Sequence, residues 1–352
     1  MSTAMSRTRS AWKVWTVVAA AVVVVAGLLH AWRNTNVLTA DRLCGGLVSA
    51  ERTNDALPGD GRIDAEGDGL DKDLTDTVCR IEKSSVVIGS GGGELTVRIR
   101  AQQGNEILGV YGVSDLPETS FFSGAVTGGV DPHLGWALLP EKCWAAQPVF
   151  VRLSSTERIS DRAAFAALTT DTARAVAVGA GCGDLPEQPG TLLPPRSDAA
   201  RPVSEGRVCG LDGLSVRGQV PEGVKVREAG QKPPADLWSC KLTLDDDSRD
   251  SVRAAGFMAY AASRDPLLIA AVKKAPGTHE GKAPGGRDAD LVDAHQMILP
   301  CAEGGALYLA VEAKAQYWEA RKLSGLPPSA AYVAPFMKAA AKTFGCDAPT
   351  TG

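Results

Sequence analysis

The sequence predicts an α+β protein: an N-terminal transmembrane helix, then two tandem duplicated domains, each an antiparallel sheet covered by a C-terminal helix. Three observations predict it. An apolar run of 19 residues stands near the start, eight cysteines divide into two sets of four with matching spacing, and each set contains strand-like alternation closed by a helix-like segment.

Composition sets the outer bounds. With 44% hydrophobic and 22% charged residues the 352-residue chain has the balance of a folded protein, which excludes wholesale disorder. Aromatic residues are only 5%, while Gly is 38 and Pro 21, so the cores must be built from Val, Ala and Leu between many turns. A formal charge of -4 supplies no basic field for a polyanion, which argues against nucleic acid as the partner.

The first element is the run Val14 to Trp32, in which His30 is the only strongly polar residue. It matches the roughly 20 residues that a bilayer-spanning helix needs. Trp12, Trp15 and Trp32 stand near its ends, at the level that amphipathic rings prefer, and Arg7, Arg9 and Lys13 precede it. The expectation is therefore a cytoplasmic tail over residues 1–11, an anchor over 12–32 held by the lipid bilayer, and a juxtamembrane linker over 33–43, with everything later outside the cell. A cleaved signal peptide fits less well, because Leu38-Thr39-Ala40 has Leu at the outer position of the cleavage site. Lipidation of Cys44 fits less well still, because Asp41-Arg42-Leu43 precedes it.

The cysteines organise the rest. Cys44, Cys79, Cys143 and Cys182 are separated by 35, 64 and 39 positions, and Cys209, Cys240, Cys301 and Cys346 by 31, 61 and 45. Local text repeats with them: Leu43-Cys44-Gly45 answers Val208-Cys209-Gly210, Leu138-Leu139-Pro140 answers Ile298-Leu299-Pro300, and Gly181-Cys182 answers Gly345-Cys346. This is a tandem duplication, with one extracytoplasmic domain at 44–182, a Pro-rich linker at 183–207 and a second domain at 208–352. An even cysteine count outside a membrane reads as a disulfide framework. The simplest pattern joins neighbours, Cys44 to Cys79, Cys143 to Cys182, Cys209 to Cys240 and Cys301 to Cys346. Each domain's four cysteines nevertheless allow three connectivities.

Within a copy, Glu94 to Ala101 alternates Leu95, Val97 and Ile99 on one face and reads as a strand. Its counterpart Val252 to Ala262 is Ala-rich and helix-like by propensity, but the duplication argues for strand. Gln103-Gly104-Asn105 and Arg264-Asp265-Pro266 read as matching turns into two more strands, Ile107 to Tyr111 and Leu267 to Val272. Strands at Pro148 to Leu153 and Ala306 to Val311 follow the third cysteines. Each copy then closes with a helix. Asp161 to Val178 spaces Phe165, Leu168, Thr172 and Val176 helically, and the second helix stacks Tyr332, Phe336, Ala340 and Phe344, with Pro335 expected to shorten or kink it.

For chemistry, the strongest candidates are two Asp-x-His pairs, Asp131 with His133 and Asp293 with His295. On extended chain, residues two apart share a face, so a carboxylate there can orient an imidazole for proton transfer or metal ligation. Against this stands a plain hydrogen-bonded turn copied with the domain, and further ligands for a metal are not apparent. Asp64 to Gly69 has the spacing of the first half of a calcium loop, but Asp71 and Thr75 break the second half. Gly89 to Gly93 lies between strands and lacks Gly-Lys-Ser/Thr, so it reads as a hairpin turn. Neither a cofactor nor a metal site is expected, and the repeat accounts for every cysteine.

A Cys-Gly-Leu opening at Cys209, a strand ending Trp238-Ser239-Cys240 and a helix ending Gly345-Cys346 resemble uncharacterised actinobacterial single-pass membrane proteins with tandem four-cysteine extracytoplasmic domains. More distantly they resemble the two-disulfide outer domains of actinobacterial lipoproteins and receptor-type serine/threonine kinases. The first copy departs from the pattern, with Thr77-Val78 before Cys79. The resemblance implies a sensor, ligand-binding or envelope-structural role and carries over no catalytic residues. The expectation is a membrane-anchored, extracytoplasmic binding or envelope-structural module without catalytic activity, its partner an envelope component or a protein. The alternative is an envelope hydrolase or metal-dependent enzyme built on the Asp-x-His pairs.

Overall fold

The computed structural model describes residues 15–28, 40–59, 61–67, 69–70, 74, 76–84, 93–108, 118–196, 199–245 and 256–347. The expected cytoplasmic tail, most of the juxtamembrane linker and nearly all of the Gly89 to Gly93 turn lie outside these residues.

The expected fold class is corrected in two respects. The first concerns the apolar run. Its described part, helix α1 (15–28), is short and exposed, and at about 1.5 Å per residue it reaches about 21 Å, against a hydrocarbon core of about 30 Å. Among the described residues no helix is long and apolar enough to cross a membrane. The second concerns the balance of elements: the chain is mostly sheet rather than α+β.

After a two-stranded ribbon of β1 (Arg42–Leu43) and β2 (Val48–Ser49), and the short helix α2 (Ala50–Ala56), come seven strands. These are β3 (Arg62–Glu66), β4 (Asp76–Ser84), β5 (Glu94–Ala101), β6 (Ser120–Phe122), β7 (Thr127–Val130), β8 (Leu134–Leu138) and β9 (Val149–Ser155). They form one antiparallel sheet in the order β3-β4-β5-β9-β8-β7-β6. Beyond it lie β10 (Arg201–Pro202) and a second ribbon of β11 (Arg207–Val208) and β12 (Leu211–Asp212). The second sheet adds β13 (Lys225–Gly230), β14 (Leu237–Asp245), β15 (Met258–Ser263), β16 (His279–Lys282), β17 (Asp288–Leu291), β18 (Gln296–Pro300) and β19 (Ala306–Ala313). Its order, β10-β13-β14-β15-β19-β18-β17-β16, repeats the first strand for strand once β10 is set aside.

The strands follow from their patterning. In β4 and β5 the residues Cys79, Ile81, Leu95, Val97 and Ile99 are buried on one face, and period-2 alternation leaves Arg80, Glu82 and Arg98 exposed on the other. Against the buried face lies α3 (Arg162–Gly179), capped by Asp161, whose carboxylate accepts from the amides of Ala163 and Ala164 at 2.9 Å. The helix comes close because Gly135 has no side chain: a Cβ there would stand 2.3 Å from Thr169 Oγ1. In the second sheet α6 (Val333–Thr343) covers the equivalent face, Phe336 stacking on Trp238 at 6.2 Å and Phe344 meeting it edge-on at 5.9 Å. Pro335 falls in its first turn, where its missing amide costs little. A further helix, α5 (Ala315–Ser324), follows β19.

Four disulfides join Cys44 to Cys79, Cys143 to Cys182, Cys209 to Cys240 and Cys301 to Cys346. Cys44 and Cys209 both take left-handed backbone, with φ of 56° and 59°. At Cys209 the amide is held by the buried carboxylate of Glu228, which also accepts from Arg201 at 2.7 Å.

The segment expected as a strand over Leu267 to Val272 is instead the helix α4 (Pro266–Lys273). The side chain of Asp265 accepts from the Leu268 amide at 2.9 Å, and Pro266 occupies the first turn, a start signal stronger than the strand propensity of the residues that follow. Its counterpart in the first copy is a single 3-10 turn at Gly104–Glu106, and Ile107 and Leu108 are buried without being strand; residues 109–111 of that expected strand lie outside the described residues.

Candidate functional site

The two Asp-x-His pairs occupy equivalent hairpins, between β7 and β8 and between β17 and β18. In each, the aspartate Oδ1 accepts from the backbone amide of the histidine at 2.7 Å, and Asp131 also accepts from the Leu134 amide at 2.8 Å. The carboxylates thus close Asx turns. The imidazoles turn to other partners. The exposed His133 has Nδ1 3.3 Å from the carbonyl oxygen of Ser155, and His295 has Nε2 2.8 Å from Ser329 Oγ. Neither imidazole is hydrogen-bonded to an aspartate of either pair. Among the described residues no group of three or more His, Cys, Asp or Glu could hold a metal ion. The start of the calcium-like segment, Asp64 to Glu66, is part of strand β3, while Asp68, Asp71 and Thr75 lie outside the described residues.

What the structure builds instead is a seam between the copies. One hydrophobic cluster runs from Phe121, Trp136, Leu138 and Phe150 of the first sheet into Leu237, Ala261, Leu268, Ile269, Ala271, Val272, Ile298 and Tyr308 of the second copy. Gly104 touches α4 so closely that a Cβ on it would lie 2.4 Å from the carbonyl carbon of Ala271. Two buried polar contacts fix the register. Thr127 Oγ1 donates to the Asp265 carboxylate, with its two oxygens at 2.9 and 2.8 Å, and Gln231 Nε2 donates to the Thr119 carbonyl at 2.7 Å. The same glutamine's Oε1 accepts from the amide and hydroxyl of Ser239 at 2.8 and 2.9 Å, so its orientation is set from both sides. At the rim, Ser123 donates to Asp236 at 3.2 Å.

Burial pushes the Asp265 carboxyl above the usual carboxylate range, and hydrogen bonds from Leu268, Thr127 and the neighbouring amides only partly oppose it. The sequence carried a signal for this residue, since Asp followed by Pro is a helix start. That its carboxylate would be met by a threonine of the other copy had no counterpart in the text.

A groove of about 470 Å³ opens on the outer strands of the second sheet, lined by Lys273, Glu280, Lys282, Asp288, Asp290 and Pro300. Its charges are largely satisfied internally, Lys273 with Asp290 at 3.0 Å and Lys282 with Asp288 at 2.5 Å. No family model, curated protein or solved structure matches this chain.

Proposed function

We propose that the protein is a non-catalytic, extracytoplasmic binding module, a pair of disulfide-stapled sheets that presents one continuous surface to an envelope component or partner protein. The observation that carries this reading is the buried seam, in which Asp265, Thr127, Gln231 and Thr119 lock the copies together. Buried polar contacts are costly unless every partner is in place, so they favour one relative placement of the two sheets over a hinged one. A surface held in this way suits recognition that spans both copies. Four disulfides fit an oxidising compartment. The Asx-turn role of Asp131 and Asp293 supports binding over the hydrolytic alternative, because each carboxylate is engaged with backbone.

Sedimentation of the purified full chain with isolated cell envelopes tests the reading. Saturable co-sedimentation that survives a double His133→Ala and His295→Ala replacement, with no soluble fragments released, is the expected result. Release of envelope fragments that stops in the double variant would establish the hydrolase instead, and absence of co-sedimentation would remove the binding reading.

A further inference from the structure

The face of the first sheet turned away from α3 carries three arginines beside the seam. Arg98 and Arg100 come from β5 and Arg152 from β9; Arg98 stands directly across from Arg152. Opposed residues on neighbouring strands lie about 5 Å apart and the next residue on the same face about 7 Å along, so three long guanidinium stems can converge on one point. Directly opposed like charges are destabilising. Among the described residues none of the three side chains forms an ion pair or a hydrogen bond.

Two carboxylates bear on the cluster. Asp76 on β4 stands directly opposite Arg100, and Glu106 acts on Arg152 from the turn that packs against α4. Three guanidinium charges against two carboxylates leave a net positive charge. Burial, then Arg100, then Arg98, lowers the pKa of Arg152, and each outweighs the opposing effect of Glu106. On the next row Thr96 and Ser154 stand opposite each other and add hydroxyls to the same face.

The second copy shows that this cluster is not required by the architecture. Cys79 pairs with Val97 and Cys240 with Tyr260, which brings the two sheets into common register. In that register Arg98, Arg100 and Arg152 correspond to Ala261, Ser263 and Ala310. The same fold is therefore built with small neutral residues at all three positions.

We propose that Arg98, Arg100 and Arg152 form a binding site for a phosphate group, present in the first copy alone. It deepens the binding-module reading and rests on it. A carboxylate brings two oxygens and one charge, whereas a phosphate offers more oxygens and, as a monoester, a second charge, which suits three convergent forks better. A phosphorylated lipid and a soluble phosphate compound share this chemistry.

Calorimetric titration of the full chain with inorganic phosphate, and flotation with phosphatidylcholine vesicles with and without phosphatidic acid, test the site. Saturable phosphate binding that weakens about tenfold or more in Arg152→Gln and in Arg98→Gln is expected. Because the replacement removes opposed like charges, each variant should melt no lower than the parent in phosphate-free buffer. Selective flotation with phosphatidic acid, competed by free phosphate, assigns the ligand to a lipid; phosphate binding without flotation assigns it to a soluble compound. Either supports the site. Absence of saturable phosphate binding, binding undiminished in both variants, or variants that melt well below the parent without phosphate would overturn it. Envelope sedimentation separates the two levels: if the variants still co-sediment while phosphate binding is absent, only the phosphate site fails. If the parent does not co-sediment, the module reading fails, and phosphate titration still judges the arginines.

Discussion

Replacing Gly104 by Ala puts a methyl group into the seam and tests whether that contact is close-packed. The backbone of Gly104 lies outside the left-handed region, so alanine meets no conformational penalty and the effect is purely steric. Its Cβ would stand 2.4, 2.6 and 2.7 Å from the carbonyl carbon, oxygen and Cβ of Ala271, where carbon atoms normally pack at about 3.5–4.0 Å. Two of those atoms are backbone, so relief requires α4 to withdraw by about 1 Å, enough to forfeit a quarter to a half of the dispersion energy at the loosened contacts. The residues carried with it include Leu268, Ile269 and Val272, all buried in the shared cluster. Overpacking of this kind costs about 1–3 kcal/mol, offset by about 0.4–1 kcal/mol from the stiffer unfolded chain. The net is a loss centred near about 1.3 kcal/mol and reaching about 2.6 kcal/mol, and the central value corresponds to a fall in Tm of about 3–5 °C for domains of this size. Scanning calorimetry reads the shift, and hydrogen exchange at the amides of α4 should accelerate in parallel. Gly179→Ala, at the end of α3 with only Leu70 Cδ2 at 3.4 Å, should instead stabilise by about 0.5–1 kcal/mol. A Gly104→Ala protein that melts with or above the parent would refute the close-packed seam.

Three further outcomes are expected. Opening the Cys301 to Cys346 bridge with a paired Cys→Ser replacement frees a loop of 45 positions and should cost about 4 kcal/mol in the chain-entropy picture, read from denaturant unfolding; a loss below about 1 kcal/mol would contradict it. Asp265 has a raised pKa in the fold, so its contribution to stability is fully present below the unfolded value of 3.8 and is lost as pH rises through the folded value. Asp265→Asn, which keeps an acceptor for Thr127 and Leu268, should therefore melt no lower than the parent at neutral pH, and its relative standing should worsen on acidification; the opposite trend would mean that the fold favours the charged carboxylate. His295→Ala removes the hydrogen bond to Ser329 and should lower stability by about 0.5–1.5 kcal/mol, whereas loss of envelope binding without loss of stability would return the Asp-x-His pairs to a functional role.

What the sequence made legible depended on whether the information was local or duplicated. The two sets of four cysteines could be read because their spacing repeated, with neighbour pairing the simplest of three connectivities, and the Met258–Ala262 part of the expected strand could be read against its Ala-rich propensity because β5 alternates clearly; residues 252–255 lie outside the described residues. The same reliance on the repeat misled at Leu267 to Val272. There the copies diverge into a 3-10 turn and a helix, and the local signal at Asp265-Pro266 was the better guide. At the Asp-x-His pairs the residue types show in the sequence and the hydrogen-bond direction does not; Oδ1 of each aspartate faces a backbone amide. The seam was hidden for another reason. Thr127 and Asp265 are 138 positions apart, and no pattern within either segment specifies the partner. The arginines were hidden likewise, because Arg98 and Arg152 become neighbours only once the pairing of β5 with β9 is known. The apolar run, read by length and hydropathy, suggested a longer helix than the described residues form.

The segment that joins the copies was expected to be a spacer, yet it pairs with both of them. Leu193 exchanges backbone hydrogen bonds with Phe121 on the outermost strand of the first sheet, at 2.7 and 3.1 Å, and Arg201–Pro202 form β10 against the border of the second. Each sheet thus has one margin occupied by the same stretch of chain. A protease cut or a long insertion between Leu193 and Arg201 would do more than loosen a tether. It would free the edge at Phe121 on one sheet and along Arg227–Glu228 on the other at once, offering templates on which other molecules of the protein could assemble by strand addition or domain exchange.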